Sequence, residues 1–282
     1  MKSICLLLTI CLYTLCMQGS QIDTIMVRSN TMHKNIPVVV VKPDSMTTDL
    51  PTLYLLHGFS DSSLNGWINK VKGITDYADK YHCLLVMPDG GFSSWYFDSP
   101  VDSTYRYETF IATELVEYID RHYPTADTSV HRAITGNSMG GHGALFLALR
   151  HPNIFGAAGS TSGGVNLCHF PNSFDIAKRL GSYTNHTERW KECSIYHLVD
   201  TITENYPQLV IDCGTDDMFY QDNCRLHEKL EQLHIPHEFT SRPGNHNWSY
   251  WSISLQNQML FFHRFFELSD HYCPLKMDKF NN

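Results

Sequence analysis

The chain has 282 residues, 43% hydrophobic and 18% charged, an ordinary globular composition that excludes an intrinsically disordered chain. That length accommodates one α/β domain with a sizeable buried sheet. The formal charge of −8 comes without any clustered basic run, so nucleic acid and anionic membrane surfaces are poor partners.

In chain order, Met1 and Lys2 give a positive start, and the apolar run from Ile4 to Met17 is too short for a stable bilayer anchor. With the small residues Gly19 and Ser20 behind it, the stretch 1–20 reads as a cleaved signal peptide, so the mature protein is expected to be periplasmic or secreted. Cys16 raises the alternative of a lipoprotein, but Leu15 stands where a small residue is expected. No later stretch is apolar enough to cross a membrane, and residues 21–282 read as a single domain. Of nine cysteines, Cys5, Cys11 and Cys16 leave with the signal. Cys83 and Cys213 fall in predicted buried strands, where a thiol behaves as a small hydrophobe. Cys168 and Cys193 lie in a loop-rich region of an exported chain and are expected to pair. No C-x-x-C occurs, and neither a metal nor a cofactor is expected.

Two early strands are predicted at Ile22 to Arg28 and Ile36 to Lys42, followed by the continuous apolar strand Leu53 to His57, the kind covered on both faces in a parallel sheet. Helical spacing runs from Asn69 to Tyr81, and Cys83 to Met87 is another buried strand. Phe110, Ile111, Leu115, Tyr118 and Ile119 recur at helical spacing within Thr104 to His122, and Pro124 ends that helix. His131 to Thr135 and Phe155 to Ser160 read as strands around an Ala/Leu-rich helix. Residues Gly163 to Tyr206 lack a period and read as an insertion with short helices. A strand (Gln208 to Cys213), a helix (Met218 to Leu233), a last strand (Glu238 to Ser241) and an aromatic helix (Trp248 to Phe266) close the chain. Such alternation predicts an α/β fold with a mostly parallel central sheet and helices on both faces.

Chemistry concentrates in a strand–turn–helix at Gly136-Asn137-Ser138-Met139-Gly140. A serine on such a strained turn needs neighbours without side chains, and G-x-S-x-G in this context is the pattern of a nucleophile elbow. Working residues of an open α/β sheet collect at the carboxyl ends of strands. Ser138, the acids after Cys213 and Gly214, and His246 all sit there, in the order Ser, Asp, His. His246 is then the base that a serine hydroxyl requires. Asp217 is preferred as its partner. Asp216 fits better as a turn residue, and Asp212 lies within a strand with its side chain expected to point away. The oxyanion donors are expected from the Met139 N–H and from the Phe59 N–H, with Gly58 letting the backbone approach the substrate.

Leu56-His57-Gly58-Phe59-Ser60-Asp61, Gly136 to Ala144, Cys213-Gly214-Thr215-Asp216-Asp217 and Pro243 to Trp248 together resemble the putative-esterase family of α/β-hydrolases. That family includes feruloyl and acetylxylan esterases, S-formylglutathione hydrolases (esterase D) and mycobacterial mycolyltransferases. The resemblance spans about Ile22 to Phe266. It implies the α/β-hydrolase fold and carboxylic-ester hydrolysis through an acyl-enzyme on Ser138, with His246 and Asp217. Asn137 and Asn245 depart from the usual pattern without removing a catalytic group. The resemblance also places Gly91 to Phe97 beside the acyl or alcohol site, with Trp95 and Tyr96 as candidates to stack on a sugar or phenolic ring.

The expected substrate is therefore a small-molecule or carbohydrate ester with an acetyl, feruloyl or other short acyl group. The alternatives are an acyltransferase with a sugar acceptor and an S-formylglutathione hydrolase-like thioesterase, which export disfavours. A non-catalytic binding protein on this scaffold is disfavoured by the intact Ser138, Asp217 and His246. Sequons at Asn185 and Asn247 are read as accidental, since a glycan beside His246 would block the site. The loop at Phe92 to Phe97 and the insertion at Gly163 to Tyr206 both remain candidates for setting the substrate.

Overall fold

A computed structural model describes residues 20–202 and 206–272. The signal peptide expected over 1–20, apart from Ser20, and Cys273 lie outside the described residues. Eight strands form one sheet: β1 (Gln21–Ser29), β2 (Lys34–Lys42), β3 (Thr52–Leu56), β4 (Leu84–Pro88), β5 (Arg132–Gly136), β6 (Ala157–Thr161), β7 (Gln208–Gly214) and β8 (His237–Arg242). Their order is β1-β2-β4-β3-β5-β6-β7-β8. The β1–β2 and β2–β4 pairs are antiparallel, and every pair from β4 to β8 is parallel, as the alternating elements predict.

The period of two along a strand divides the core between the two faces. Val38 and Val40 of β2, Tyr54 and Leu56 of β3 and Leu84 and Val86 of β4 pack on one face. Val39, Val41, Leu53, Leu55, Leu85 and Met87 pack on the other, against the closing helix Trp248–Tyr272 through Leu255, Met259 and Phe262. Each such side chain taken fully out of water contributes about 1.5–3 kcal/mol.

Two elements differ from expectation. The helix predicted from Asn69 to Tyr81 is two pieces, Trp67–Lys70 and Ile74–Lys80, because Gly73 adopts a left-handed backbone between them (φ 73°). The helix predicted from Thr104 starts at Tyr107 and winds as a π-helix over Phe110–Leu115 before Val116–His122. The expected Cys168–Cys193 disulfide is absent: both thiols are free, and Cys168 Sγ lies 3.7 Å from Ser194 Oγ. Burial pushes the Cys193 thiol up to about 12, leaving it a protonated, apolar group.

The turn after β5 brings the chain very close to β3. A Cβ on Gly140 would lie 2.2 Å from the Leu56 carbonyl oxygen and 2.7 Å from that of His57. Gly140→Ala is therefore expected to destabilise the fold by about 3 kcal/mol, since backbone atoms cannot rotate out of the way. A urea unfolding midpoint equal to that of the wild type would contradict this packing.

Candidate active site

Four loops leave the carboxyl ends of β3, β5, β7 and β8 on one edge of the sheet. Ser138 heads the helix Met139–Arg150 at φ 56° and ψ −118°, a conformation that a non-glycine residue adopts only under strain. Its backbone is held on both sides. The Ser138 N–H donates to Thr161 O at 2.9 Å, and Ser138 O accepts from His142 N–H at 3.1 Å. Serine has little exposed surface here (7%), and what remains faces a cleft.

His246 Nε2 lies 2.9 Å from Ser138 Oγ, and His246 Nδ1 lies 2.9 Å from Asp217 Oδ2. Asp217 is buried and also accepts the Phe219 N–H at 2.9 Å, which fixes its carboxylate. With Nδ1–H donating to the carboxylate, Nε2 is the lone pair that faces the serine hydroxyl. The rings of Trp251 and Phe219 meet His246 edge-on at 4.9 and 5.3 Å and hold its plane.

The other two acids are occupied elsewhere. Asp216 is exposed, and its N–H donates to Gly244 O. Asp212 is buried and bonded to Arg242 and to Ser254 Oγ; burial pushes its carboxyl above the ordinary range despite these partners. Its side chain points away from Ser138, as its place within β7 predicts.

Gly58 sits against Ser138. A Cβ there would meet Asn137 Nδ2 at 3.0 Å and Ser138 Cβ at 3.4 Å. Phe59 is the next residue, and Met139 is the first residue of the elbow helix, so its N–H has no partner earlier in the helix. The cleft in front measures about 670 Å³. Phe59, Phe174 and Met218 line it together with Trp248 and Trp251, and Asp61, Asn65 and Lys70 add polar groups. Asn247 also lines it, and its Oδ1 accepts the Tyr250 N–H at 3.1 Å, so this sequon residue caps the closing helix. Among the described residues no three His, Cys, Asp or Glu side chains gather to hold a metal ion. No helix among them is long and apolar enough to cross a membrane.

Trp95 and Tyr96 do not reach the cleft. Both are buried, at 1% and 0% exposure, and left-handed backbones at both residues (φ 55° and 61°) turn them inward. Trp95 Nε1–H donates to Phe174 O at 3.0 Å, and Tyr96 OH donates to His57 O at 3.0 Å. They support the site from below, so the stacking role expected for them is not open to them.

Two further histidines, His57 and His142, are part of this support. His57 bridges the ends of β3 and β4. His142, buried in the first turn of the elbow helix, has Nε2 at 2.7 Å from Cys193 O and Nδ1 at 3.1 Å from Trp95 O. Burial pushes its pKa down to about 4, so the ring stays neutral and donates one bond, which we assign to the shorter Cys193 contact. Their proximity to the G-x-S-x-G and His-Gly motifs was the available signal.

Comparison with known proteins follows the same lines. An esterase of Mycobacterium tuberculosis is 29% identical over 242 residues, covering 75% of this chain and 52% of its own length. The chain thus spans about half the length of that relative. An acetyl esterase of Caldicellulosiruptor saccharolyticus is 25% identical over 253 residues, covering 81% and 93% of the two chains. Among solved structures, a ferulic acid esterase superposes with a TM-score of 0.75 at 28% identity, covering 88% of this chain and 100% of its own. A family profile described as putative esterase matches residues 29–262, and the chain belongs to that family.

Proposed function

We propose that the protein is an exported serine carboxylic-ester hydrolase that cleaves short-chain or aromatic acyl esters of carbohydrates through Ser138, His246 and Asp217. The observation that carries the reading is the continuous line from Asp217 Oδ2 through His246 to Ser138 Oγ, with both contacts at 2.9 Å. His246 Nε2 takes the hydroxyl proton as Ser138 Oγ attacks the ester carbonyl, and the tetrahedral oxyanion forms against the Phe59 and Met139 N–H groups. The imidazolium, stabilised by Asp217, then returns the proton to the departing alcohol. Water repeats the sequence to release the acid and restore the serine.

The cleft supports a division of labour between acyl group and alcohol. The carbonyl must lie against Phe59, whose ring meets Phe92 at 4.9 Å and Phe174 at 5.8 Å in edge-to-face contacts. This apolar row suits an acetyl or a phenyl-bearing acyl group. The leaving alcohol lies on the His246 side, where Trp248 and Trp251 offer indole faces and Asn65 and Lys70 offer hydrogen bonds, a combination that suits a sugar. The acetyl esterase and ferulic acid esterase relatives point the same way. Export rests on the apolar run from Ile4 to Met17, and N-terminal sequencing of the extracellular or periplasmic protein should begin near Gln21.

Ser138→Ala is expected to abolish hydrolysis of p-nitrophenyl acetate, and a variant with full activity would end the proposal. Asp217→Asn should lower kcat by about 10²–10⁴-fold through the wrong imidazole tautomer, while Asp216→Asn stays within about two-fold. Equal losses in these two variants would contradict the choice of acid. Phe174→Ala should lower kcat/KM for methyl ferulate by about ten-fold and leave p-nitrophenyl acetate within about two-fold. The opposite preference would place the acyl group elsewhere.

A further inference from the structure

A backbone N–H stabilises an oxyanion only when it is aimed at it, and the stretch after β3 that carries the Phe59 N–H is neither helix nor strand. We propose that His57 is a positioning residue that aims this N–H, acting through the peptide group between Gly58 and Phe59. The inference rests on the reading of Ser138 as nucleophile and Phe59 N–H as oxyanion donor.

The argument starts from a donor that cannot reverse. The Gly90 N–H lies 2.7 Å from His57 Nε2, and an amide N–H only donates, so Nε2 carries a lone pair. The neutral ring then holds its proton on Nδ1, 2.8 Å from Gly58 O, and donates it there. Burial keeps the ring in this neutral form by holding its pKa below the ordinary range, although Asp89 and Asp61 pull the other way.

Gly58 O and the Phe59 N–H belong to one peptide group. It is trans, so pinning the oxygen towards His57 turns the N–H the opposite way. Among the described residues no protein acceptor takes the Phe59 N–H, which leaves it for a ligand. The Asp61 N–H adds a longer bond to the same oxygen at 3.3 Å, and the Ser60 N–H donates to Phe92 O at 2.8 Å.

The bridge is itself held from below. Tyr96 OH donates to His57 O, and a Cβ on Gly90 would lie 2.3 Å from Tyr96 Cζ and OH. Gly90 and Tyr96 therefore fix where the Gly90 N–H stands, and His57 passes that position across from β4 to the loop after β3. The ring is 1% exposed, so it acts on the substrate only through the peptide it orients.

Two variants separate aiming from mere packing. His57→Gln keeps an oxygen able to accept from Gly90 but moves the donor away from Gly58 O. Its kcat on p-nitrophenyl acetate should fall by about 10- to 100-fold with KM within about two-fold, because the donor serves the transition state and not the bound ester. His57→Asn places an amide N–H where Nδ1 stands, so it should recover kcat to within about five-fold of the wild type. Wild-type kcat in His57→Gln, equal losses in both variants, or a loss confined to KM would overturn the proposal.

If neither variant folds, the wild-type protein decides through the tautomer of His57 in a long-range ¹H–¹⁵N correlation assigned by its neighbours. A proton on Nδ1 supports the bridge, and a proton on Nε2 overturns it. Activity that survives Ser138→Ala would instead overturn the catalytic reading beneath it.

Discussion

The site depends on one steric condition: the first turn of the elbow helix lies against the last carbonyl groups of β3, and only a chain without a Cβ at Gly140 can come so close. Gly136 faces the same contact from the other side, where a Cβ would meet Gly140 O at 2.6 Å and Leu56 O at 2.6 Å. From that contact the rest follows. β3 and β5 are neighbours in the sheet, so the loop after β3 arrives beside Ser138 without any long-range reach. The left-handed backbone of Ser138 costs on the order of 1–3 kcal/mol, and the bonds to Thr161 O and from His142 hold it in place.

The loops that carry Asp217 and His246 are joined by a second close contact of the same kind. A Cβ on Gly214 would meet Gly244 O at 2.3 Å, and the Thr215 and Asp216 N–H groups donate to Arg242 O and Gly244 O. These contacts hold the loops after β7 and β8 against each other. Behind them, the Asp212–Arg242 pair and Ser254 tie both strands to the closing helix. A carboxylate buried this deeply is tolerable only with such partners. Gln258 does similar work further along, accepting from Thr135 Oγ1 and donating to Thr161 Oγ1. Closing helix, strands and the loops that carry Asp217 and His246 are therefore tied together by buried hydrogen bonds, which suits the 2.9 Å alignment of Asp217, His246 and Ser138.

The parts of this arrangement that sequence made legible are those with a local signature. Strands with apolar runs, glycines flanking Ser138 and the order Ser, Asp, His all follow from the chain itself. The sequence prefers Asp217 over Asp212 because a strand alternates its side chains, and over Asp216 because that residue fits the turn after Gly214 and Thr215. What could not be read has no local signature. An aromatic loop such as Ser94 to Phe97 looks the same whether its rings point into a cleft or under it, and the direction is set by left-handed backbones at two bulky residues. The pairing of Cys168 with Cys193 assumed that loop thiols in an exported chain find each other. In the fold, Cys168 turns to Ser194, and Cys193 offers its carbonyl to His142. Gly73 breaks a helix that its flanking spacing supports, since glycine alone does not announce a left-handed backbone. The bridging roles of His57 and His142 depend on the Gly90 N–H, 33 residues from His57, and on the Trp95 and Cys193 carbonyls, 47 and 51 residues from His142.

These hidden bonds also join the loop at Phe92 to Phe97 to the insertion. The loop and the insertion are not rivals, because each fixes the other. Trp95, from the loop, donates to Phe174 O in the insertion, and His142 stands between Trp95 O and Cys193 O. Phe174, at φ 56°, is then the residue that enters the cleft, while Trp95 sits behind it at 6.2 Å between ring centroids. Trp95 and Tyr96 of the loop lie buried behind the cleft, and Phe174 of the insertion lines it together with Phe59, Met218, Trp248 and Trp251. Changes of specificity within such a scaffold are least disruptive at Phe174 or Met218, which face the cleft. At Trp95 or Tyr96 a change would loosen the floor of the site, because Tyr96 also carries His57 and the loop after β3.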